Sequence, residues 1–548
     1  MTTVSALDRS RPVWPSSPSD GWASGVNRLS GRPNGKPLTV RDPKWPKGPC
    51  GSSKCPPATE IGRPTGYPFK QETHGPYFGH CATNAPCMLN DTTMALAAET
   101  PPESLSGCNC AENCTDSRAC ASYATPARTG VQWQGWYRSE FGAVSWPSFE
   151  SISANLPKDQ WGMTKPAIAT IALPTSRYSL RNWNVSSVIA TFFGDEAASD
   201  MQQSGEAAFK RQLYQSMIGQ LLFLKTMIEG WRSTNVWGEC AAAVTSHSVC
   251  RPPALTRGRW LLHAGTTFWM FNAIWPTADW GSVEYSGGPE QHGQVLGGRW
   301  RPTHYQLRAS TFADQLATCN SGGACFVTNS APFAFNGTVV VRLLNTLSGK
   351  SAQLTTQMLD LPPGPGVTEW FCAEDGLRQQ PSIDADSDPD GITTAGPPPP
   401  LTPPPPCPPP PPQLACSSWA NTTGWQTTGC DANGTNCVLE ISAIDSAGAR
   451  VSHNVNLFVA PKHATLPDAT VSFKVGASGD ITLTTTAAAL YVVLTTAAVG
   501  RFSDNAILLE DGVPQVIDFV SWNAGGLDAA QLAELRSSLR VEHLQENL

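Results

Sequence analysis

Between Glu206 and Arg232 the chain reads EAAFKRQLYQSMIGQLLFLKTMIEGWR, with Phe209, Leu213, Met217, Leu221, Leu224 and Ile228 at steps of three and four. That spacing predicts an amphipathic helix of several turns whose apolar stripe has to be buried against something. Short apolar runs lie around it: Pro12–Ser16, Trp133–Glu140 and Thr267–Asn272. Apolar strands alternating with a helix predict parallel α/β architecture for residues 1–310. From about residue 311 no long helical period recurs. The segments GTVVVRLLN, ATVSFKV and DITLTTT read as short alternating strands of β-sandwich modules. Together these give an α/β plus all-β chain, and 548 residues leave room for three or four domains.

Residues 396–413, GPPPPLTPPPPCPPPPPQ, cannot form core. Proline fixes φ and lacks an N–H, so the tract takes the extended polyproline II form and acts as a semi-rigid spacer. It reads as a surface insertion. An SH3- or WW-like partner site and a cell-wall glycoprotein stalk are the alternatives. A formal net charge of -7 argues against nucleic acid and anionic membrane as partners. No apolar run is long enough to span a bilayer, since TTTAAALYVVLTTAAVG is Thr-rich and reads as strands.

The 17 cysteines fall largely into close pairs: Cys50/Cys55, Cys81/Cys87, Cys240/Cys250, Cys319/Cys325 and Cys430/Cys437. A denser knot holds Cys108, Cys110, Cys114 and Cys120. None has the second pair or the histidines that zinc needs, so disulfides in an oxidising compartment are expected, with no metal and no cofactor. Asn90, Asn113, Asn184, Asn336, Asn421 and Asn433 open N-glycosylation sequons. The amino terminus, MTTVSALDRSRP, has no apolar signal region, which conflicts with the cysteine usage and suggests a natural start further upstream.

Six blocks occur in order: SRPVWPSSPSDG (10–21), RSEFGAVSWPSFESIS (138–153), WMFNAIWPTADWGSVEY (269–285), GGRWRPTHY (297–305), GRFSDN (500–505) and SLRVEH (538–543). So ordered, the chain resembles the carboxy-terminal part of a β-mannosidase of the β-galactosidase-like glycoside hydrolase family. The resemblance implies the second half of a (β/α)₈ TIM barrel over 1–310, followed by two immunoglobulin-like sandwiches at 311–463 and 464–548. The proline-rich stretch near 376–415 would be an insertion in the first sandwich. Arg11–Ser17 would be strand five, HGPYFGH (74–80) would lead strand six, Trp133–Glu140 would be strand seven and Thr267–Trp275 strand eight. The implied activity is hydrolysis of terminal non-reducing β-D-mannose from a glycan, with retention, in a lysosome or vacuole or outside the cell. Another β-glycosidase of the superfamily and a non-catalytic sugar-binding or wall protein are the alternatives.

Barrel active sites lie at the carboxyl ends of the strands. By resemblance Glu140, in RSEFG, is the nucleophile. Trp275 would wall the terminal sugar, Tyr77 would hydrogen-bond the nucleophile, and Asn272 matches a family asparagine whose acidic follower is here Ala273. Trp146 and Trp280 are expected to pack, and His74, His80 and His304 to be satisfied loop or core residues. The family's acid/base glutamate follows an asparagine on strand four. No Asn-Glu step occurs in these 548 residues, so that group is missing from the chain as given. Two stretches, 81–130 and 239–265, interrupt the family pattern. The first reads as a disulfide-stapled insertion. The second reads as a retained intron: RSTNVWG should run directly into TTFWMFN, Gly-Glu-Cys can be encoded with the donor string GTGAGT, and Ala-Gly supplies the acceptor AG. Transcript sequencing should therefore find most mature messages without codons 239–265. Reads that keep them would show a genuine surface loop.

Overall fold

The computed structural model describes residues 72–78, 137–163, 185–200, 203–233, 265–274, 277–285, 298–319, 324–364, 367–372, 419–523 and 525–548. The expected strand five, the 81–130 insertion, nearly all of 239–265 and the proline tract lie outside them.

Strands β1 (Glu72–Phe78), β2 (Tyr137–Ala143) and β3 (Gly265–Thr266) form a parallel sheet in that order. This is the order implied for barrel strands six to eight, and among the described residues the sheet does not close. Two boundaries differ from expectation. β2 runs three residues beyond Glu140, because Phe141 to Ala143 continue the ladder with β1. The predicted strand Thr267–Asn272 is replaced by Gly265–Thr266 just ahead of it, because beyond Trp269, which still donates to Phe141 of β2, the backbone pairs with 280–283. Ser282 and Val283 donate to Phe271, and Ala273 donates to Val283 at 2.8 Å, closing an irregular hairpin over 269–285.

The short helix α1 (Phe149–Ile152) follows β2, then α2 (Val185–Asp200), broken at Gly194, and α3 (Glu206–Ser233). All six stripe residues of α3 are buried. Its other face departs from the amphipathic expectation, since Tyr214, Gln215, Gln220, Lys225, Glu229 and Arg232 are buried too. The reason is that α3 is covered on more than one side. Tyr214 Oη donates to Tyr491 O at 2.7 Å, Gln215 Nε2 to Asn547 O at 2.7 Å, and Arg232 Nη1 to Thr311 O at 2.9 Å.

Seven strands follow: β4 (Gln315–Cys319), β5 (Ala324–Asn329), β6 (Phe335–Asn345), β7 (Ser351–Leu361), β8 (Val367–Cys372), β9 (Cys437–Asp445) and β10 (Arg450–Leu457). They make one sheet ordered β10-β9-β6-β7 and another ordered β4-β5-β8. Their alternating inward residues, such as Val339, Val341, Ile441, Val327 and Phe371, share one core, as in a sandwich. Strands β11 (Val471–Val475), β12 (Asp480–Thr485), β13 (Ala489–Thr495), β14 (Gly500–Phe502), β15 (Ile507–Leu509), β16 (Gln515–Ser521) and β17 (Arg540–Glu542) repeat the plan. Here β11-β12-β16-β14 and β15-β13-β17 enclose Leu483, Val492, Leu494, Ile517 and Phe519. Arg342 joins the two units, its Nε donating to Glu440 at 2.7 Å and its Nη1 to Glu510 at 2.9 Å. Cys319–Cys325 bridges β4 and β5, Cys430–Cys437 closes the loop before β9, and Cys372 is disulfide-bonded as well. No described helix is long and apolar enough to cross a membrane.

On α3 the Lys225 ammonium lies 2.7 Å from Glu229, with both side chains buried. Asn454 and Asn456 of β10 and Thr318 of β4 complete the shell: Asn454 and Thr318 donate to Glu229, and Asn456 accepts from Lys225. Burial lowers the Lys225 pKa, opposed by the charge of Glu229. Removing one partner of such a pair leaves an uncompensated charge and costs about 3–5 kcal/mol, whereas an apolar pair of similar volume is often tolerated. Glu229→Leu should therefore lower the urea midpoint of the helical circular dichroism signal strongly. Lys225→Met combined with Glu229→Leu should recover much of the loss.

Candidate functional site

Glu140 is the fourth of the seven residues of β2. The parallel register sets His74 of β1 opposite Glu140 and Tyr77 opposite Gly142, so Tyr77 and Glu140 lie on neighbouring strands two residues apart in register. Directly after Glu140 the backbone meets the 269–285 hairpin. Trp269 N–H donates to Phe141 O at 2.7 Å, and a Cβ added at Gly142 would stand 2.2 Å from Trp269 O. Only glycine allows that approach. Trp269 is 44% exposed and Phe271 63%, so flat apolar surface lies at the mouth of the strand bearing a carboxylate. Asn272 is partly buried, bridges Val283 through its backbone, and its Nδ2 donates to Ala273 O at 3.2 Å. Trp275 lies outside the described residues. Trp146 is fully buried and Trp280 packs against the same core, as expected of packing residues.

Two buried clamps hold this strand end. In the first, Ser145 and Asp279 exchange backbone hydrogen bonds at 2.9 and 3.0 Å. Arg301, fully buried, pairs with Asp279 at 3.0 Å, and its Nη1 donates to Gly281 O at 2.8 Å and Ser145 Oγ at 3.1 Å. From α3, Gln220 accepts from Ser145 Oγ at 2.9 Å and donates to Ala143 O at 2.9 Å, while Ser216 Oγ accepts from Trp146 N–H. In the second clamp, buried Glu284 accepts from Ser148 N–H at 2.7 Å and Ser148 Oγ at 2.8 Å, and from Ser151 Oγ. Arg299 donates to that Ser151 oxygen at 2.9 Å. The hairpin and the loop after Glu140 are thus tied largely by buried, charge-assisted bonds.

Sequence reading missed Arg301, Asp279, Glu284 and Gln220. The first three stand inside the resemblance blocks, and ionisable residues within apolar blocks are the signal that could have marked them. His304 lies beside the hairpin, its Nδ1 2.9 Å from Ser282 Oγ, and burial pushes its pKa down to about 4, keeping it neutral. A small cleft lined by Ser148, Glu284, Arg299, Trp300 and Phe502 lies between the loop and the last sandwich, and Glu140 is not among its lining residues. No group of three or more His, Cys, Asp or Glu able to hold a metal occurs among the described residues.

Residues 464–547 match the Ig-fold domain model named for mannosidases. No curated protein is matched by sequence. Among solved structures, the β-D-mannosidase of Dictyoglomus thermophilum is 16% identical with a TM-score of 0.45, covering 76% of this chain and 38% of that one. The exo-chitosanase CsxA of Amycolatopsis orientalis is 14% identical with a TM-score of 0.38, covering 75% and 42%. The chain spans less than half the length of these structures. The likeness to glycosidases is distant, and the carboxy-terminal domain is Ig-like.

That domain reaches back to the loop after β2. Arg540 of β17 donates to Glu150 of α1 through Nε at 2.9 Å and pairs with Glu542. Its guanidinium also lies 5.9 Å from the Phe149 ring centroid. One arginine thus serves two carboxylates, with Glu546 nearby. Burial raises the Glu542 pKa to about 7; Arg540 opposes the shift, and the charges of Glu150 and Glu546 add to it. Because the folded value lies above the ordinary 4.5, the folded state holds more protons between about pH 4.5 and 7. Stability from this group is therefore fullest on the acid side and falls as pH rises through that window. The melting temperature should drop between pH 5 and 7.5, and the drop should be smaller in Glu542→Gln.

Proposed function

We propose that this chain is part of a retaining exo-β-glycosidase, with Glu140 as the nucleophile and a terminal non-reducing β-D-mannose residue of a glycan as the sugar cleaved. The observation that carries the reading is the meeting of two family blocks, RSEFG and WMFN, backbone to backbone, with Trp269 seated on Phe141 and Gly142. A strand carrying a carboxylate residue next to a segment with exposed aromatic rings suits a sugar, whose axial C–H groups can lie on flat rings. Mannose is assigned on the WPTADWGSVEY and RFSDN blocks and on the mannosidase Ig-fold match over 464–547. The departure at Ala273 removes the acid that would touch a hydroxyl there, so other β-linked sugars form the comparison set.

In a retaining mechanism positive charge builds at the anomeric carbon as the glycosidic bond breaks. An ionised carboxylate stabilises that charge and then forms the glycosyl–enzyme ester. A second carboxyl group, about 5–5.5 Å away, protonates the leaving oxygen and later activates water. On this reading the two clamps hold Glu140's strand and its aromatic neighbour in fixed relation. Tyr77, Asn272 and Trp275 are proposed as sugar or nucleophile contacts, and the acid/base comes from residues beyond these 548.

Four measurements test the proposal. The 548-residue chain alone should hydrolyse aryl β-mannosides negligibly, since general acid assistance is worth about 10²–10⁴-fold even in an intact site. In a longer chain carrying both carboxylates, β-mannoside turnover should exceed that of β-galactoside, β-glucuronide and β-glucosaminide. Glu140→Gln should lower it by several orders of magnitude, and a 2-fluoro-mannosyl inactivator should label the Glu140 peptide. Labelling of a different carboxylate would overturn the nucleophile. A different preferred sugar would overturn only the mannose assignment.

A further inference from the structure

Three of the six sequons fall on described residues, and they stand in different settings. Asn336 lies in β6, paired across the ladder with Asp360, and its carbonyl accepts from Ser446 N–H. Asn421 ends a short turn, and the next residue, Thr422, is buried and accepts from Trp425 N–H. All three asparagines are exposed, but of the three Asn433 alone stands outside strand and helical turn, on the loop Cys430–Cys437, which the disulfide between those cysteines closes ahead of β9. Within that loop Asp431 accepts from Asn433 N–H at 2.8 Å, from Thr435 N–H at 3.0 Å, and from the Thr435 hydroxyl. Gly434, at φ 71°, makes the turn, and its N–H donates to Asp431 O. Thr465 N–H and Thr346 N–H donate to the Thr435 and Asn436 carbonyls from outside the loop, which holds it against the sandwich. The Asn433 side chain is exposed and lies outside any strand ladder.

We infer that Asn433 is a site of N-linked glycosylation, taking an oligosaccharide on its side-chain amide. The donor class is a lipid-pyrophosphate-linked oligosaccharide. The bond between its anomeric carbon and the pyrophosphate oxygen breaks, a bond from that carbon to Asn433 Nδ2 forms, the amide proton leaves to a base, and the lipid pyrophosphate departs. The two disulfides formed by described residues, Cys319–Cys325 and Cys430–Cys437, fit an oxidising compartment such as the lumen in which that transfer occurs. A glycan at Asn433 displaces no packed side chain, because the residue is exposed and β9 and β10 pair beyond the loop. The inference stands apart from the glycosidase reading.

The test is translation of the full chain behind a cleavable leader in the presence of endoplasmic-reticulum microsomes, scoring only protease-protected chain. Peptide mapping after enzymatic deglycosylation in heavy-oxygen water should find Asn433 converted to labelled aspartate in most molecules. Asn433→Gln should remove one glycan's worth of gel shift, and Thr435→Ala should do the same with the asparagine kept. Thr435→Ser, which retains both the sequon and a hydroxyl for Asp431, should carry the full shift. An Asn433 peptide recovered mainly unmodified from protected wild-type chain would overturn the assignment, whatever the state of Asn336 and Asn421.

Discussion

A lysine and a glutamate buried one helical turn apart on α3 set the terms for much of this structure. Desolvating two charges is costly, and the cost is tolerable only where further hydrogen bonds complete the shell. Here those bonds come from Thr318, Asn454 and Asn456, all on the first sandwich. The α/β part and the β part therefore cannot slide against each other as two apolar faces could. Any shift of a few ångströms would strand a charge. Arg232, donating to the Thr311 and Ala313 carbonyls at the entry to β4, repeats the device one turn further along.

The same helix carries its precision forward to the strand of Glu140. Gln220 and Ser216 satisfy backbone groups at residues 143 and 146, which a strand leaving its sheet would otherwise leave unpaired. Arg301 and Asp279 lock the opposing hairpin onto those residues, and Glu284 fixes the loop that enters α1. Functional groups work best when their supports are themselves locked. In this chain the supports are buried ion pairs and carboxylate–hydroxyl bonds, and the exposed elements are the aromatic Trp269 and Phe271.

How much of this was legible in the sequence depends on the range of the forces involved. The period of Phe209 to Ile228 reports local geometry, so α3 could be read directly, as could the alternating strands around Val339 and Ile481. The burial of Lys225 and Glu229 could not, because their partners lie about 90 to 230 residues away and no periodicity encodes them. For the same reason the far end of strand eight was misjudged. Thr267 to Asn272 look like a strand by composition, yet apart from Trp269, which donates to Phe141 of β2, the backbone of 270–273 pairs with 280–283. The role proposed for Glu140 rests on family resemblance, since nothing in the neighbouring sequence separates it from an ordinary glutamate. Trp269, exposed and seated beside Gly142, went unremarked although it opens one of the blocks.

The reach of α3 also bears on how the chain acquires its shape during synthesis. Tyr214 and Gln215 find their partners at Tyr491 and Asn547, separations of 277 and 332 residues. Until those segments leave the ribosome, the helix presents buried-type polar groups and large apolar side chains to the cytosol or lumen with nothing to cover them. The helix most easily read from the sequence is thus among the last to be finished. A chaperone able to hold a half-dressed helix through the translation of two further domains would find α3 uncovered throughout that time.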